Sequence, residues 1–331
     1  MATIDIFNND AFNVISLTGT INDTKYKPER LGELGWFDEK GINTLSFWIE
    51  RKGNQLALIP NTPRGAPGIV NPINRSKGIL FGVTHLPQTD AIMADQIAGV
   101  RAFGTESELQ TMQGVVNERL QTMRDNIDVT LEYHRIGALK GVILDADGST
   151  VIEDLYNRFN LTQQTKAMAL TNGATDVKQK TIEATRLIDE ALGAVRYTSR
   201  RALCSPSFLD KLVANKAVKA DFDRFNNGSF QRDDYRTGFP YAGVYWEEYR
   251  GGVGGQLFIP DGKAYLVPEG VAGMFQTKFG FANYMETINT VGLPYYARQE
   301  AMAMGKGINL EAQSNPFCIN TRPDCVIELT A

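Results

Sequence analysis

"LQTMQGVVNERLQTMRDNIDVTL", residues 109–131, carries apolar side chains at Leu109, Met112, Val116, Leu120, Met123, Ile127 and Leu131. The steps between them are three, four, four, three, four and four. That spacing draws one stripe along an α-helix. Thr105 and Glu108 supply a T-x-x-E capping box ahead of it, and Gly137 is placed to end it. About thirty residues at ~1.5 Å each predict a rod of roughly 45 Å, longer than the usual three to four turns. Gly114 costs the rod about 1 kcal/mol relative to alanine and marks a bend or a close contact. Glu118, Arg119, Arg124 and Asp125 form the polar face, so the stripe is expected to pack on the chain's own sheet. His134 falls near the expected helix end, where a positive side chain is favoured.

Upstream of the rod the pattern shortens. "INTLSFWIE", residues 42–50, alternates as a strand does, "RKGNQ" can turn, and "LALI" can return. "PNTPRGAPGIVNP", residues 60–72, then places four prolines, two glycines and one arginine in thirteen residues. Proline fixes φ and lacks an N–H, so this segment must lie at an edge or stand free. "KGILFGVTHL", residues 77–86, is a further strand, with His85 hydrogen-bonded locally on its face. Nearer the start, "NVISLTGTIN" is read as a short strand within an extended arm.

Downstream, "DADGS" between "VIL" and "TVI" predicts a hairpin turn. It lacks the third acidic position of a calcium loop, and position 156, where the terminal glutamate belongs, is tyrosine. "KTIEATRLIDEALGAVRY" is an amphipathic helix. "ALCSPSFLDKLVANKAV" gives a strand and then a helix opened by Ser205 as N-cap and Pro206 at its first position. "GFPYAGVYWEEYRG" and "QLFIPDGKAYLVP" are aromatic strand runs, joined by "GGVGG" as a flexible turn. "PYYARQEAM", "INLEAQSN" and "CVIEL" supply closing strands.

Composition narrows function. The chain has 331 residues, 43% of them apolar, with 34 basic against 38 acidic residues for a net charge of −4. A dedicated nucleic-acid binder carries a basic excess that is missing here. No apolar run reaches the ~18 to 20 residues of a membrane span. "MATIDIFNND" shows no signal-peptide pattern, which points to a cytoplasm-like compartment. Cys204, Cys318 and Cys325 have no C-x-x-C spacing and are expected to be reduced, partly buried thiols. No G-x-S-x-G, H-E-x-x-H, Walker A or G-x-G-x-x-G motif is present. Glu247 and Glu248 sit among aromatics, but neighbours on a strand face opposite sides and cannot act as one acid/base pair. A subunit contact or a surface position is the expected role for them. No catalytic residue, cofactor or metal site is expected.

Several phrases, taken in order, resemble the major capsid protein E family of tailed bacteriophages, the lambda-like coat proteins. They are "NTLSFWIERKGNQLALIPNTPRGAPG", "FGVTHLPQTDAI" followed by "VRAFG", "ALKGVILDADGSTVIEDLYNRF", "LCSPSFLDKL", "FPYAGVYWEEYRG", "ANYMETINTVGLPYYA" and "QSNPFCINTRPDCVIEL". They run from about residue 43 onward. The resemblance implies an α+β fold of the Hong Kong 97 type. Residues 1–36 would be the N-terminal arm, 37–95 an extended β-loop, and 96–165 a peripheral domain with a long spine helix. Residues 166–285 would be the axial domain, and 286–331 strands returning to the peripheral domain. It further implies self-assembly into pentamers and hexamers of an icosahedral shell, with scaffold, portal and decoration proteins as partners. The packaged double-stranded DNA would be held without sequence-specific binding, with no membrane involved. Location would be the virion capsid, assembled in the host cytoplasm. Trp48, Arg64 and Trp246 are the contact candidates, because Arg and Trp are enriched at interface hot spots. Two rival readings are an encapsulin-like compartment and a soluble carboxylate-using hydrolase with the Pro/Gly segment as lid.

Overall fold

The computed structural model describes residues 12–23, 30–50, 78–97, 108–225, 234–253 and 255–331. In chain order the elements begin α1 (Val14–Asp23), α2 (Arg30–Leu34), β1 (Phe37–Gly41), β2 (Ser46–Glu50), β3 (Gly78–Gly82), β4 (Leu86–Met93), α3 (Ala94–Ile97) and α4 (Glu108–Lys140). Next come β5 (Val142–Leu144), β6 (Val151–Asp154), α5 (Leu155–Phe159), β7 (Gln164–Ala167), α6 (Val177–Leu192), β8 (Ser199–Cys204), α7 (Pro206–Ala214) and α8 (Lys216–Phe225). After these follow β9 (Phe239–Tyr241), β10 (Val244–Glu248), β11 (Gly252–Val253), β12 (Gln256–Leu257), β13 (Lys263–Glu269) and β14 (Phe275–Phe279). The last are β15 (Tyr296–Ala301), β16 (Gly307–Ser314), β17 (Pro316–Asn320) and β18 (Ile327–Thr330). Two compact units result. One takes the described residues of Met1–Phe47, Phe81–His134 and Gln276–Cys318; the other takes those of Trp48–Leu80, Arg135–Phe275 and Ile319–Ala331.

The first unit is built on the helix stripe. Val116, Leu120, Met123 and Ile127 of α4 form one buried cluster with Ile92 of β4, Ala297 of β15, and Ile308, Leu310 and Ala312 of β16. Those strands make an antiparallel sheet in the order β15–β16–β4, with Leu310 opposite both Gln299 and Asp90. Leu17 and Ile21 of α1 join the same cluster. The segment expected as a strand is therefore this helix. Asn13 Oδ1 accepts the Ser16 N–H at 2.7 Å, as an N-cap does. Leu17, Thr18 and Ile21 then share one buried face. Thr105 and the side chains of Leu109 and Met112 lie outside the described residues.

The polar face of α4 is not all surface. Arg124 is buried, and its Nη1 donates to the carbonyls of Ile21 (2.5 Å) and Asn22 (3.2 Å) in the last turn of α1. Its guanidinium lies 4.6 Å from the centre of the Tyr295 ring, with Asp128 3.7 Å from its Nε. Two turns on, Glu132 Oε1 accepts the Leu31 N–H at the start of α2 at 2.9 Å. A cation thus meets the carbonyl end of one helix and an anion the amide end of the next, each opposing the helix dipole.

α4 is 33 residues long, about 50 Å. It runs past Gly137, whose role is proximity: a Cβ there would stand 3.0 Å from Ile143 Cα and 3.1 Å from the Val142 carbonyl. His134 is accordingly buried inside the helix rather than at its end. The stop is Gly141, at φ +86°, where a Cβ would fall 2.2 Å from the Tyr156 ring. The expected hairpin follows, closed by Asp145 N–H to the Thr150 carbonyl at 2.8 Å. Asp147 accepts from the Thr150 hydroxyl and from the Thr150 and Ser149 amides, which holds its carboxyl well below the usual range.

The second unit centres on a six-stranded mixed sheet in the order β7–β18–β13–β8–β10–β9. β8 and β10 are parallel, as are β18 and β7, and the remaining pairs are antiparallel. α7 opens as the sequence predicts, with Ser205 Oγ accepting the Phe208 N–H and Pro206 in the first turn. Within residues 286–331, β15 and β16 pair with β4, whereas β18 lies between β7 and β13. A central strand needs backbone partners on both sides, and Gln164–Ala167 and Lys263–Leu266 provide them. β4 is one of the two outer strands of the sheet that packs on α4.

Two substitutions test the rod. Gly141→Ala should cost more than about 1 kcal/mol in urea unfolding of the unassembled subunit, because φ is positive and the Tyr156 ring is in the way. Gly114→Ala, exposed with nothing within 4 Å of an added Cβ, should instead stabilise by about 0.5–1 kcal/mol.

Candidate functional site

β2 and β3 form a two-stranded ribbon, separate from the other sheets of the described residues. Its root is aromatic. Phe47 and Phe81 are 6.0 Å apart, and Phe317 lies 5.7 Å from the first and 5.5 Å from the second. Side chains alternate across a strand. With Phe47 turned inward, Trp48 turns out and is 67% exposed, and Leu80 of β3 is also exposed. Gly78 makes room for the indole: a Cβ there would come 3.0 Å from the Trp48 ring. The break between β3 and β4 is tied down by Thr84, whose N–H and hydroxyl both donate to the Pro316 carbonyl at 3.0 and 2.5 Å. His85 sits in this break, not on a strand, and its partner is distant in sequence: Nδ1 lies 2.7 Å from Asn315 Oδ1.

A second surface is the loop of residues 281–293, between β14 and β15. Its frame is satisfied from within. The Thr287 hydroxyl donates to the Ala282 carbonyl at 2.8 Å, and the Thr290 hydroxyl to the Thr287 carbonyl at 2.7 Å. The Asn283 N–H reaches Gln313 Oε1, and the Leu293 N–H reaches the Tyr296 hydroxyl. Gly292 N–H donates to the Ile42 carbonyl at 2.9 Å. A Cβ on Gly41 would stand 2.1 Å from the Gly292 carbonyl oxygen, so the two backbones meet as only glycine allows. Ala282, Tyr284 and Tyr296 pack inward with Val14. Outward, Met285 is 83% exposed and Val291 65%, with Ile288 and Leu293 also open to solvent.

The third feature is ionic. Arg201 on β8 bridges two carboxylates on flanking strands, Glu247 of β10 at 2.6 Å and Glu269 of β13 at 2.7 Å. Its guanidinium also lies 4.7 Å from the Tyr245 ring centre. Glu247 is buried, 2% exposed, and its neighbour Glu248 pairs with Arg250 instead. Close by in sequence, Trp246 is fully buried, donating its indole N–H to the Tyr241 carbonyl at 3.1 Å and stacking with Phe208. Another buried carboxylate, Glu328, accepts from Lys263 and Tyr265. Near it, burial and the charge of Lys263 push the Lys140 amine below its ordinary pKa. Among the described residues no group of three or more His, Cys, Asp or Glu side chains could hold a metal ion, and no helix is long and apolar enough to cross a membrane.

The family described as phage major capsid protein E matches residues 13–331 of this sequence. The chain belongs to that family. It is 25% identical over 317 residues to the major capsid protein of Pseudomonas phage KPP10, covering 89% of this chain and 90% of that one. With the major capsid protein of Salmonella phage Felix O1 it is 26% identical over a 358-residue alignment that covers 97% and 96% of the two chains. A capsid-protein candidate from a prophage of E. coli CFT073 superposes with a TM-score of 0.60 at 13% identity, over 96% and 99% of the chains. The fold is thus the α+β fold of phage capsid proteins, and the chain is a structural subunit of a phage shell. These relatives favour the coat reading over the compartment and the hydrolase.

The three sequence-derived contact candidates separate. Trp48 is on the surface. Arg64 and the Pro/Gly segment lie outside the described residues. Trp246 belongs to the subunit's own core, because a strand flanked on both sides has its alternate residues under the covering helix. Glu247, expected at a contact or on the surface, is inside as well and committed to Arg201. The loop of 281–293 was missed, although "METINTVGLP" signals it: apolar residues every third position among Asn289, Gly292 and Pro294. Reduced thiols were expected, and all three cysteines are free and buried. Burial also pushes the Cys204 thiol far up.

Arg201→Ala should cost about 3–5 kcal/mol, because it strands a buried Glu247. Arg201→Met combined with Glu247→Leu and Glu269→Gln should recover most of that loss, as read by urea unfolding of the unassembled subunit.

Proposed function

We propose that copies of this chain join into rings of five and six, that the rings tile an icosahedral shell, and that the shell encloses double-stranded DNA without reading its sequence. The observation that carries this reading is the ribbon. A subunit that folds alone has no use for an exposed indole seated on a glycine beside an exposed leucine. Such a side chain suits the centre of a heterologous contact, the kind that closes into rings. The net charge of −4 suits a lining that does not grip phosphates. No reaction is assigned to the chain. Scaffold and portal proteins are its expected partners in the host cytoplasm, with a decoration protein to reinforce the finished shell.

Electron microscopy of the purified protein tests this directly. Closed icosahedral particles are expected. Monomers or small oligomers under every assembly condition, with or without a scaffold, would overturn it. Trp48→Asp should lower particle yield roughly tenfold or more, the scale of a hot-spot loss, while leaving the subunit's melting temperature unchanged.

A further inference from the structure

We propose that α1 stands in for a missing strand at the β15 edge and keeps that edge closed to strand addition by another copy of the chain. β15 ends its sheet, with β16 on one side and no strand of the described residues on the other. The open side of such a strand presents unpaired N–H and C=O groups, which recruit strands from other chains. Successive residues turn these groups to opposite sides, so the outward ones recur at every second residue. Here they fall at Tyr295 and Ala297, and α1 meets both. The Thr18 hydroxyl accepts the Ala297 N–H at 3.2 Å and donates to the Ala297 carbonyl at 3.4 Å. Asn22 Nδ2 donates to the Tyr295 carbonyl at 2.9 Å.

The spacing makes the match. Thr18 and Asn22 lie four apart on one helix face, about 6 Å along the axis. Ala297 and Tyr295 lie two apart on extended chain, about 6.8 Å. Successive turns of the helix therefore reach successive outward positions of the strand. Thr18 does not follow the local alternative open to a helical threonine, whose hydroxyl can turn back to the carbonyl four residues earlier. Thr20 does so, donating to the Ser16 carbonyl at 2.9 Å. In the same helix Thr18 gives its hydroxyl to the strand instead. Other contacts already hold α1 in place. Leu17 and Ile21 share a buried cluster with Ala297, and Arg124 grips the Ile21 and Asn22 carbonyls. None of these needs a polar side chain at 18 or 22. What the hydroxyl and the amide add is closure of the edge: a strand arriving at β15 meets a helix, and finds the Ala297 N–H and carbonyl already taken.

The test uses the unassembled subunit, so its outcome is independent of shell formation. Thr18→Val combined with Asn22→Leu removes the two edge groups and keeps their approximate size. Residue-resolved hydrogen exchange should be roughly tenfold or more faster at the Ala297 amide and unchanged at Leu310 on the middle strand. At a concentration where the unmodified chain stays dispersed, this variant should form oligomers by size-exclusion chromatography, with an intermolecular β band in the infrared. Thr18→Ser, which keeps the hydroxyl, should behave as the unmodified chain does. So should Thr20→Val, which loses only the bond within the helix. Where the double variant yields no folded protein, Thr18→Val alone takes the same measurements. A variant that stays dispersed would overturn the proposal, whatever its exchange rates. Equal acceleration at Ala297 and Leu310 would also overturn it, since α1 would then brace the whole sheet and guard no edge. Association of Thr20→Val to the same extent would do the same.

Discussion

Everything in the first unit depends on α4 having two kinds of face to bury. Its apolar stripe needs a sheet, and β15, β16 and β4 supply one. Its buried charges need partners of a kind that only helix ends or counter-charges provide. Arg124 finds the carbonyl end of α1, and Glu132 finds the amide end of α2. Without those termini both groups would be desolvated at a cost of several kcal/mol each. The helix therefore specifies its neighbours by charge as well as by shape.

The second unit solves a similar problem with one guanidinium. Arg201 joins β8 to both of its neighbours through carboxylates, one of them almost wholly buried. Buried ionic groups are weak evidence for stability, but they penalise any register that separates them. In a mixed sheet, which combines parallel and antiparallel ladders, register is what needs fixing. The same economy appears at the surface. Hydroxyls in the 281–293 loop and at the ribbon root are satisfied internally, and Met285, Val291 and Trp48 are left exposed.

Much of this was legible in the sequence where one local rule dominates. The three-four spacing from Leu109 to Leu131 gave the rod, Ser205-Pro206 gave a helix start, and Asp145–Ser149 gave a hairpin. What escaped depends on contacts distant in sequence. Gly137 reads as a helix stop, yet it is a close-packing position against Ile143, and only the fold reveals that. Residues 13–22 are rich in β-branched side chains and read as a strand, but burial of Leu17 and Ile21 against α4 makes them helical. Trp48 and Trp246 look alike as interface candidates. Which of them is covered follows from strand neighbours that no local pattern encodes.

The place of β18 in its sheet bears on how the chain comes off the ribosome. Of the strands in that sheet it is the last to be synthesised, yet it sits between β7 and β13. Until it emerges, both of those strands offer open hydrogen-bonding edges. Unpaired edges recruit other chains. Cotranslational folding of the second unit must therefore stall one strand short, and nascent copies crowded on a polysome are exposed during that interval to strand exchange, a hazard that a bound chaperone would relieve.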